Sequence, residues 1–229
     1  MKFPFIQKLI ESGCECYLYG GAVRDSVIGR EPVDYDFVIR GILLEGLISI
    51  CSEFGIAHPH KYMHGSLRLE TKDFGVVDIC LMKGINDNRE IVSMPEGSIS
   101  QHLTCMDFTM NCLAKDVSTQ KLFDICDSLK AIKDRMIILN PSYHNSIELS
   151  PIVIVRAARF MSTLGFRLDT NTYDVFNAHK ELMFEKIPLK RINFDMWRLF
   201  SSPNSNVGIE LLQKLGIYKR LKESYITPL

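Results

Sequence analysis

The sequence has no excess of either charge, since 27 lysines and arginines are matched by 27 aspartates and glutamates. A protein that grips a polyanion with its whole surface is usually strongly basic, so any nucleic-acid contact here has to be a local patch. Nor is there an apolar run near the roughly 18 residues a membrane helix needs; the segments 42–50 and 151–155 are short and interrupted. The opening MKFPFIQKLIESG lacks the long apolar stretch and small-residue cleavage site of a signal peptide. The expectation is a cytoplasmic protein with no membrane partner. Paired C-x-x-C knuckles are absent too: the seven cysteines stand at 14, 16, 51, 80, 105, 112 and 126. That argues against a structural zinc site and for reduced, mostly buried thiols. There is no internal repeat and no low-complexity tract, and 46% hydrophobic with 24% charged residues is a globular composition. The 229 residues leave room for one or two domains.

Strands and helices alternate in the first half. Short helices are expected over 2–12 and 22–28, strands over 16–19 and 33–39, and an amphipathic helix over 42–54. Segments 67–70 and 76–82 form a strand pair around Lys72-Asp73-Phe74-Gly75, and the polar stretch 84–97 is expected to be a mobile loop. From about residue 148 the pattern turns helical: 151–164, 172–184, 189–200 and 207–222, punctuated by Gly165, Pro188 and Pro203. The division expected is an α/β head over 1–140 and an all-α segment over 141–229.

Chemistry concentrates in Tyr17–Gly41, YLYGGAVRDSVIGREPVDYDFVIRG. Gly20-Gly21 falls between a strand and a helix, where glycine lets backbone N–H groups approach a ligand and a helix start favours an anion such as phosphate. Asp34-Tyr35-Asp36 then opens an apolar strand. Alternate strand residues share a face, so Asp34 and Asp36 project together while Tyr35 and Phe37 face the other way. Two adjacent carboxylates repel, and a hard divalent cation such as Mg²⁺ resolves the repulsion. Taken alone, D-x-D reads as a solvated strand end; the Gly-Gly turn one strand earlier points to phosphoryl chemistry.

Tyr19-Gly20-Gly21-Ala22-Val23-Arg24-Asp25 followed by Asp34-Tyr35-Asp36 resembles the head of the class II tRNA nucleotidyltransferase and poly(A) polymerase family. That family includes the CCA-adding enzymes and belongs to the polymerase-β-like nucleotidyltransferases. Val76-Val77-Asp78-Ile79, Asp107-Phe108-Thr109-Met110-Asn111, Leu122-Phe123-Asp124, Arg156-Ala157-Ala158-Arg159-Phe160 with Leu164-Gly165-Phe166, and Lys190-Arg191-Ile192 resemble its later blocks in order. The resemblance implies an α+β fold, a polymerase-β-like head with a small mixed sheet and helices, followed by an all-α neck. It implies that Gly20, Gly21 and Arg24 cradle an NTP triphosphate. Asp34, Asp36 and Asp78 would be catalytic and hold two Mg²⁺ ions, Asp107 would bond the ribose, and Arg156 and Arg159 would line the nucleotide pocket. Each has a plainer alternative: Asp78 a turn acid on an exposed edge, Asp107 a helix cap, Arg159 a structural ion pair.

The sequence departs from the family where the base is read. The family has Glu-Asp-Pro with an arginine two residues later; here stand Leu149-Ser150-Pro151 and Val153, and Glu148 is one position out of register. Serine and valine cannot form that bidentate template. Met106, after Cys105, replaces an arginine, His102 replaces an acid, and Ser128 replaces a glycine. With Leu229 as the last residue, the expectation is that the family's tRNA-gripping body and tail are absent. The expected function is therefore a Mg²⁺-dependent nucleotidyltransferase that moves a nucleoside monophosphate from an NTP to an acceptor hydroxyl, an RNA or tRNA 3′ end, but not a complete CCA-adding enzyme. A small-molecule or protein acceptor, or an inactive nucleotide- or RNA-binding module, is the alternative. His58, His60 and His64 read as an exposed loop rather than a zinc site, and Trp197 and the methionines as core. Lys186, Lys190, Arg191, Arg198, Lys214, Lys219, Arg220 and Lys222 make the end of the chain locally basic, as a solvated face or an RNA-backbone track.

Overall fold

The computed structural model describes residues 3–60, 65–88, 90–144, 147–148 and 150–224. Two compact units emerge, one of Met1–Met106 with Met110–Leu129 and one of Asp107–Thr109 with Lys130–Leu229.

In the first unit the order is α1 (Pro4–Glu11), β1 (Glu15–Tyr19), α2 (Gly21–Val27), β2 (Asp36–Arg40), α3 (Leu44–Ser52), β3 (Ile56–Pro59), β4 (Ser66–Thr71), β5 (Gly75–Leu81), β6 (Lys83–Ile85), β7 (Ile91–Ser93), α4 (Ile99–Thr104), β8 (Leu113–Asp116) and β9 (Leu122–Asp124). A single 3₁₀ turn, Thr109–Asn111, precedes β8. Seven strands form one mixed sheet in the order β3-β4-β5-β2-β1-β8-β9. Only the β2–β5 pair is parallel; the others are antiparallel.

The period-2 alternation of the strands fills two cores. Cys16, Phe37, Ile39, Leu67, Leu69, Val77, Ile79 and Leu81 point to one face, where Phe5, Ile6 and Leu9 of α1 and Leu47 and Cys51 of α3 cover them. Tyr17, Val38, Cys80, Cys112 and Ala114 point to the other, against Ile99 and Leu103 of α4. Truncating a fully buried anchor such as Phe5 costs about 3–5 kcal/mol. Helix α4 is fixed by a capping box: the Gln101 N–H donates to Ser98 Oγ at 3.2 Å, and the Ser98 N–H donates to Gln101 Oε1 at 2.8 Å.

The polar stretch 84–97, expected as a mobile loop, contains the β6–β7 hairpin, closed where Asn86 Oδ1 accepts the Glu90 N–H at 2.9 Å. Strand β2 begins at Asp36 rather than at residue 33, and Asp34 sits in the bend before it.

The second unit contains α5 (Ser128–Lys133), whose first two residues belong to the first unit, then β10 (Met136–Ile137), α6 (Pro141–His144), α7 (Val153–Leu164), β11 (Arg167–Leu168), α8 (Thr170–His179), α9 (Leu182–Lys186), α10 (Leu189–Phe200), α11 (Ser205–Lys214) and α12 (Tyr218–Ser224). Helix α7 is its axis, burying Val153, Ile154, Val155, Ala157, Ala158 and Phe160. Gly165 ends it in the left-handed conformation at φ 68°. On α11, a side chain at Gly208 would run into the Ala158 carbonyl, and the Gly208 N–H donates to Ser162 Oγ at 3.1 Å.

The sequence pattern merged α8 with α9 and α11 with α12; each pair is two helices. Trp197, expected in the core, is 46% exposed.

Candidate active site

Strand β1 runs antiparallel to β2 with Leu18 opposite Phe37, so one step further the end of β1 lies beside the start of β2. There the chain turns at Gly20, at φ 68° and ψ −131°, a conformation that side chains resist. Gly21 begins α2 with ordinary backbone geometry, and a Cβ there would stand 3.5 Å from Arg24 Nη2, a normal contact. Of the two glycines, the turn itself requires only Gly20.

Arg24 is buried beneath this turn. Its Nη1 donates to Asn111 Oδ1 at 2.7 Å, and its Nε and Nη2 donate to Asp25 Oδ1 at 2.9 and 2.7 Å. In the sequence Asn111 stands only as part of a motif, yet it ties the end of the 3₁₀ turn ahead of β8 to the guanidinium under the glycines.

On the sheet, Asp36 and Asp78 are register partners across the parallel β2–β5 pair. By alternation they share a face with Val38 and Cys80, the face toward α4. Both carboxylates act on Tyr19: burial, then Cys80, then Asp36 push its phenol well above its ordinary range, with Asp78 adding to the effect. The Tyr19 hydroxyl lies 3.5 Å from Cys80 Sγ. Asp34 is exposed in the bend before β2, close enough to add to the stabilisation of the Arg68 guanidinium.

Asp78 is not a turn acid: β5 lies between β4 and β2. Both its oxygens accept from Arg68 on β4, Nε to Oδ1 and Nη2 to Oδ2, each at 2.9 Å. The two side chains are 48% and 41% exposed, and His60 Nε2 stands 3.9 Å from Asp78 Oδ1. The signal for Arg68 was present in the sequence. A hairpin pairing Thr71 with Gly75 necessarily sets Arg68 opposite Asp78. His58 lies on β3, 3.6 Å from Glu70, and His64 falls outside the described residues. Among the described residues no three His, Cys, Asp or Glu side chains are grouped closely enough to enclose a metal ion.

His102, standing where an acid was expected, is fully buried on α4. Burial, and after it Lys83, push its imidazole down to about 3, so it is neutral at physiological pH. Its Nδ1 accepts the Lys83 N–H at 3.2 Å, and its ring meets the Tyr19 ring edge-on at 4.6 Å.

The remaining candidates lie in the second unit. Asp107 is buried; its Oδ1 accepts the Phe108 N–H at 2.9 Å, a local cap, and its Oδ2 lies 2.9 Å from Arg156 Nη1. Asp107 and Arg156 are thus brought together. Arg159, one turn further on α7, has its guanidinium 4.4 Å from the Phe160 ring centroid. Burial, then the neighbouring Arg198 and Arg156, push it down to about 10, so it stays charged in a locally electropositive setting. Val153 is fully buried and so offers nothing to a nucleotide, whereas Glu148 is exposed, 3.9 Å from His179.

Helix α10 turns Ile192, Met196 and Leu199 inward. It buries Asn193 and Asp195 and exposes Phe194 and Trp197 at 45% and 46%. Arg198 and Arg191 lie 5.6 and 6.0 Å from the Phe194 ring centroid, and Arg191 also reaches Asp195 at 3.2 Å. Lys190 is exposed on the same helix.

Over residues 16–138, more than half of its length, the chain matches the family described as the poly A polymerase head domain. It is 28% identical over 223 residues to the CCA-adding enzyme of Lactococcus lactis subsp. lactis strain IL1403, covering 96% of this chain and 55% of that relative. The crystal structure of Bacillus stearothermophilus CCA-adding enzyme in complex with CTP is similar with a TM-score of 0.81 at 25% identity, over 96% of this chain and 55% of that one. The Thermotoga maritima CCA-adding enzyme complexed with tRNA shares the fold, with a TM-score of 0.76 at 23% identity, over 95% of this chain and 51% of that one. The chain thus spans about half the length of the curated relatives it matches. Among the described residues, no helix is long and apolar enough to cross a membrane.

Proposed function

The chain belongs to the poly A polymerase head domain family, and from that premise we propose that it is a nucleotidyltransferase that moves a nucleoside monophosphate from an NTP to the 3′-hydroxyl of an RNA or tRNA, releasing pyrophosphate. The observation that carries the reading is the register: Asp36 and Asp78 are paired on parallel strands beside the Gly20 turn, with Asp34 in the bend leading into β2.

Such carboxylates are hard oxygen donors and suit Mg²⁺. Asp34, Asp36 and Asp78 would hold it, with Asp78 exchanging its exposed contact with Arg68. When bound, the ions supply charge neutralisation on the triphosphate and acidification of the acceptor hydroxyl. The chain's own residues do the rest. The Gly20 N–H is taken by the Leu113 carbonyl at 2.9 Å, so the phosphates would meet the backbone that follows it at the start of α2, and Arg24, held by Asn111 and Asp25, keeps the turn in shape. Asp107, held by Arg156 at 2.9 Å, would bond the ribose, and Arg156 and Arg159 would line the nucleotide pocket.

An RNA acceptor is supported by α10. Exposed aromatics flanked by arginines form the kind of surface on which unpaired bases stack while phosphates meet cations. The formal net charge of zero requires such a patch if RNA is to bind. The test is to incubate the protein with Mg²⁺, each α-labelled NTP and a pool of RNA. Label is expected at RNA 3′ ends, and that transfer should fall in Phe194→Ala/Trp197→Ala with NTP binding retained. Absence of transfer with all four NTPs would overturn the activity, and undiminished transfer in the double variant would remove α10 from the RNA path.

A further inference from the structure

The candidate carboxylates belong to a row that crosses four strands. Register sets His58 of β3 opposite Arg68 of β4, Arg68 opposite Asp78 of β5, and Asp78 beside Asp36 of β2. Register partners point to the same side of a sheet, so these four side chains share one face. The opposite face of β4 and β5 is filled by Leu67, Leu69, Val77 and Ile79. The face that carries the row is open: the side chains of His58, Arg68 and Asp78 are 54%, 48% and 41% exposed. Ile56 and Val76, two residues along on the same face, are exposed as well. Glu70 lies between them in register, with His58 Nε2 at 3.6 Å from its carboxylate.

We propose that Arg68 binds the phosphodiester nearest the 3′ end of the acceptor RNA and so positions the terminal hydroxyl for attack, a placement that rests on the RNA-acceptor reading and adds the side from which the strand arrives. Displacement at the α-phosphorus is in line, with the attacking and leaving oxygens on opposite sides. The leaving pyrophosphate is assigned to the Gly20 turn, which ends β1. From there the sheet order runs β1, β2, β5, β4, so the turn is followed by Asp36, then Asp78, then Arg68. The acceptor oxygen must therefore come over β5 and β4. Arg68 stands one strand, about 4.8 Å, beyond Asp78, which suits the single sugar between a 3′-hydroxyl and the phosphate before it.

The guanidinium fits the task. Its Nε and Nη2 donate to the two oxygens of Asp78 at 2.9 Å each, the parallel fork with which arginine also takes a phosphate. Two of its five N–H groups are used there. The others can meet a phosphate at once, and the whole fork can do so when Asp78 turns to a metal ion.

The full chain would be mixed with saturating Mg²⁺, a non-hydrolysable NTP and a short RNA labelled at its 5′ end, and binding read by fluorescence anisotropy. Three RNAs are compared: one all phosphodiester, one with a neutral methylphosphonate at the last linkage, and one with it at a linkage far from the 3′ end. Arg68→Gln should weaken binding of the first RNA by about tenfold, and the terminal methylphosphonate should cost the wild-type chain as much. The two losses should not add when combined. Arg68→Lys, which keeps the charge and loses the fork, should restore part of the affinity. Losses that add, coupling of equal size to the internal methylphosphonate, or weakened NTP binding with RNA binding intact in Arg68→Gln would overturn the proposal and leave the RNA-acceptor reading standing. No RNA binding by the wild-type chain would overturn both. The readout needs no turnover, so a protein that binds RNA without transferring nucleotides still decides the role of Arg68.

Discussion

Replacing Arg68 by alanine should tighten divalent-metal binding, by a modest and calculable factor. In the protein both oxygens of Asp78 are taken by Arg68 at 2.9 Å. A metal ion that uses Asp78 must break or share that pair, so the free energy of the pair is subtracted from metal affinity. The side chains are 48% and 41% exposed, which screens the interaction and sets its value at about 0–1 kcal/mol. Removing it should therefore raise affinity by no more than about fivefold and lower folding stability by less than about 1 kcal/mol. Titration with Mn²⁺, followed by electron paramagnetic resonance in the presence of a non-hydrolysable NTP, reads this directly. The control is Arg68→Ala in an Asp78→Asn background, where the gain should vanish because no carboxylate is released. Weaker binding in Arg68→Ala would mean that the guanidinium positions Asp78 for the metal instead of competing with it. An equal gain in both backgrounds would mean that Asp78 is not a ligand. Either result refutes the reasoning.

Asp34→Asn and Asp36→Asn should each abolish transfer while leaving circular dichroism unchanged and Tm equal or slightly higher, because like charges at the start of β2 are relieved. Gly20→Ala should cost about 1–3 kcal/mol in urea unfolding, whereas Gly21→Ala should cost far less, since only Gly20 holds a positive φ and the space at Gly21 admits a Cβ. For His102 the folded value of about 3 lies below the ordinary imidazole value of 6.5, so both states are neutral above pH 6.5 and its contribution is then full. As the pH falls below 6.5 the unfolded chain takes up a proton that the folded one refuses, and stability is lost down to about pH 3, on the order of 5 kcal/mol in all. His102→Gln should flatten the acid limb of the stability profile measured by chemical denaturation, and an unchanged limb would place the effect on the carboxylates alone.

What could be read from the sequence was what local periodicity and turn chemistry determine. The strand pair around Lys72–Gly75, the Gly-Gly turn and the apolar strand after Asp36 follow from alternation and punctuation, and the structure has them. The break between α8 and α9 at Lys180 and Glu181 carries no glycine or proline, so no local signal marks it. The break before α12 did carry one, Gly216 at φ 76°, which the helical pattern on either side outweighed. The β6–β7 hairpin was hidden because polar residues fill it and the Asn86 side chain supplies its closure. Charge partners of the candidate site follow only once pairing is known, through register for Arg68 and through tertiary contact for Asn111. Arg68 reaches Asp78 only through strand register, and Asn111 reaches Arg24 across 87 positions of sequence.

The base-reading position and α10 show how burial reassigns residue roles that type alone suggests. Valine at 153 loses the hydrogen bonds of an arginine, and because it is also fully buried in α7 no rotation of its side chain brings it to a ligand. On the proposed activity, selection between nucleobases would then rest on groups that remain polar at the surface, or be weak. Helix α10 runs the other way. Its inner face buries Ile192, Met196 and Leu199 as hydrophobicity dictates, but takes in Asn193 and Asp195 beside them and leaves Phe194 and Trp197 half-exposed. Burying Asp195 is costly unless it is paired, and Arg191 at 3.2 Å supplies a partner. Keeping two large aromatics in water also forgoes on the order of 2 kcal/mol each of available burial. The half-exposed aromatics are thus the departure that needs a reason, and arginines beside an open aromatic ring match an unpaired, anionic strand better than they match an apolar protein surface.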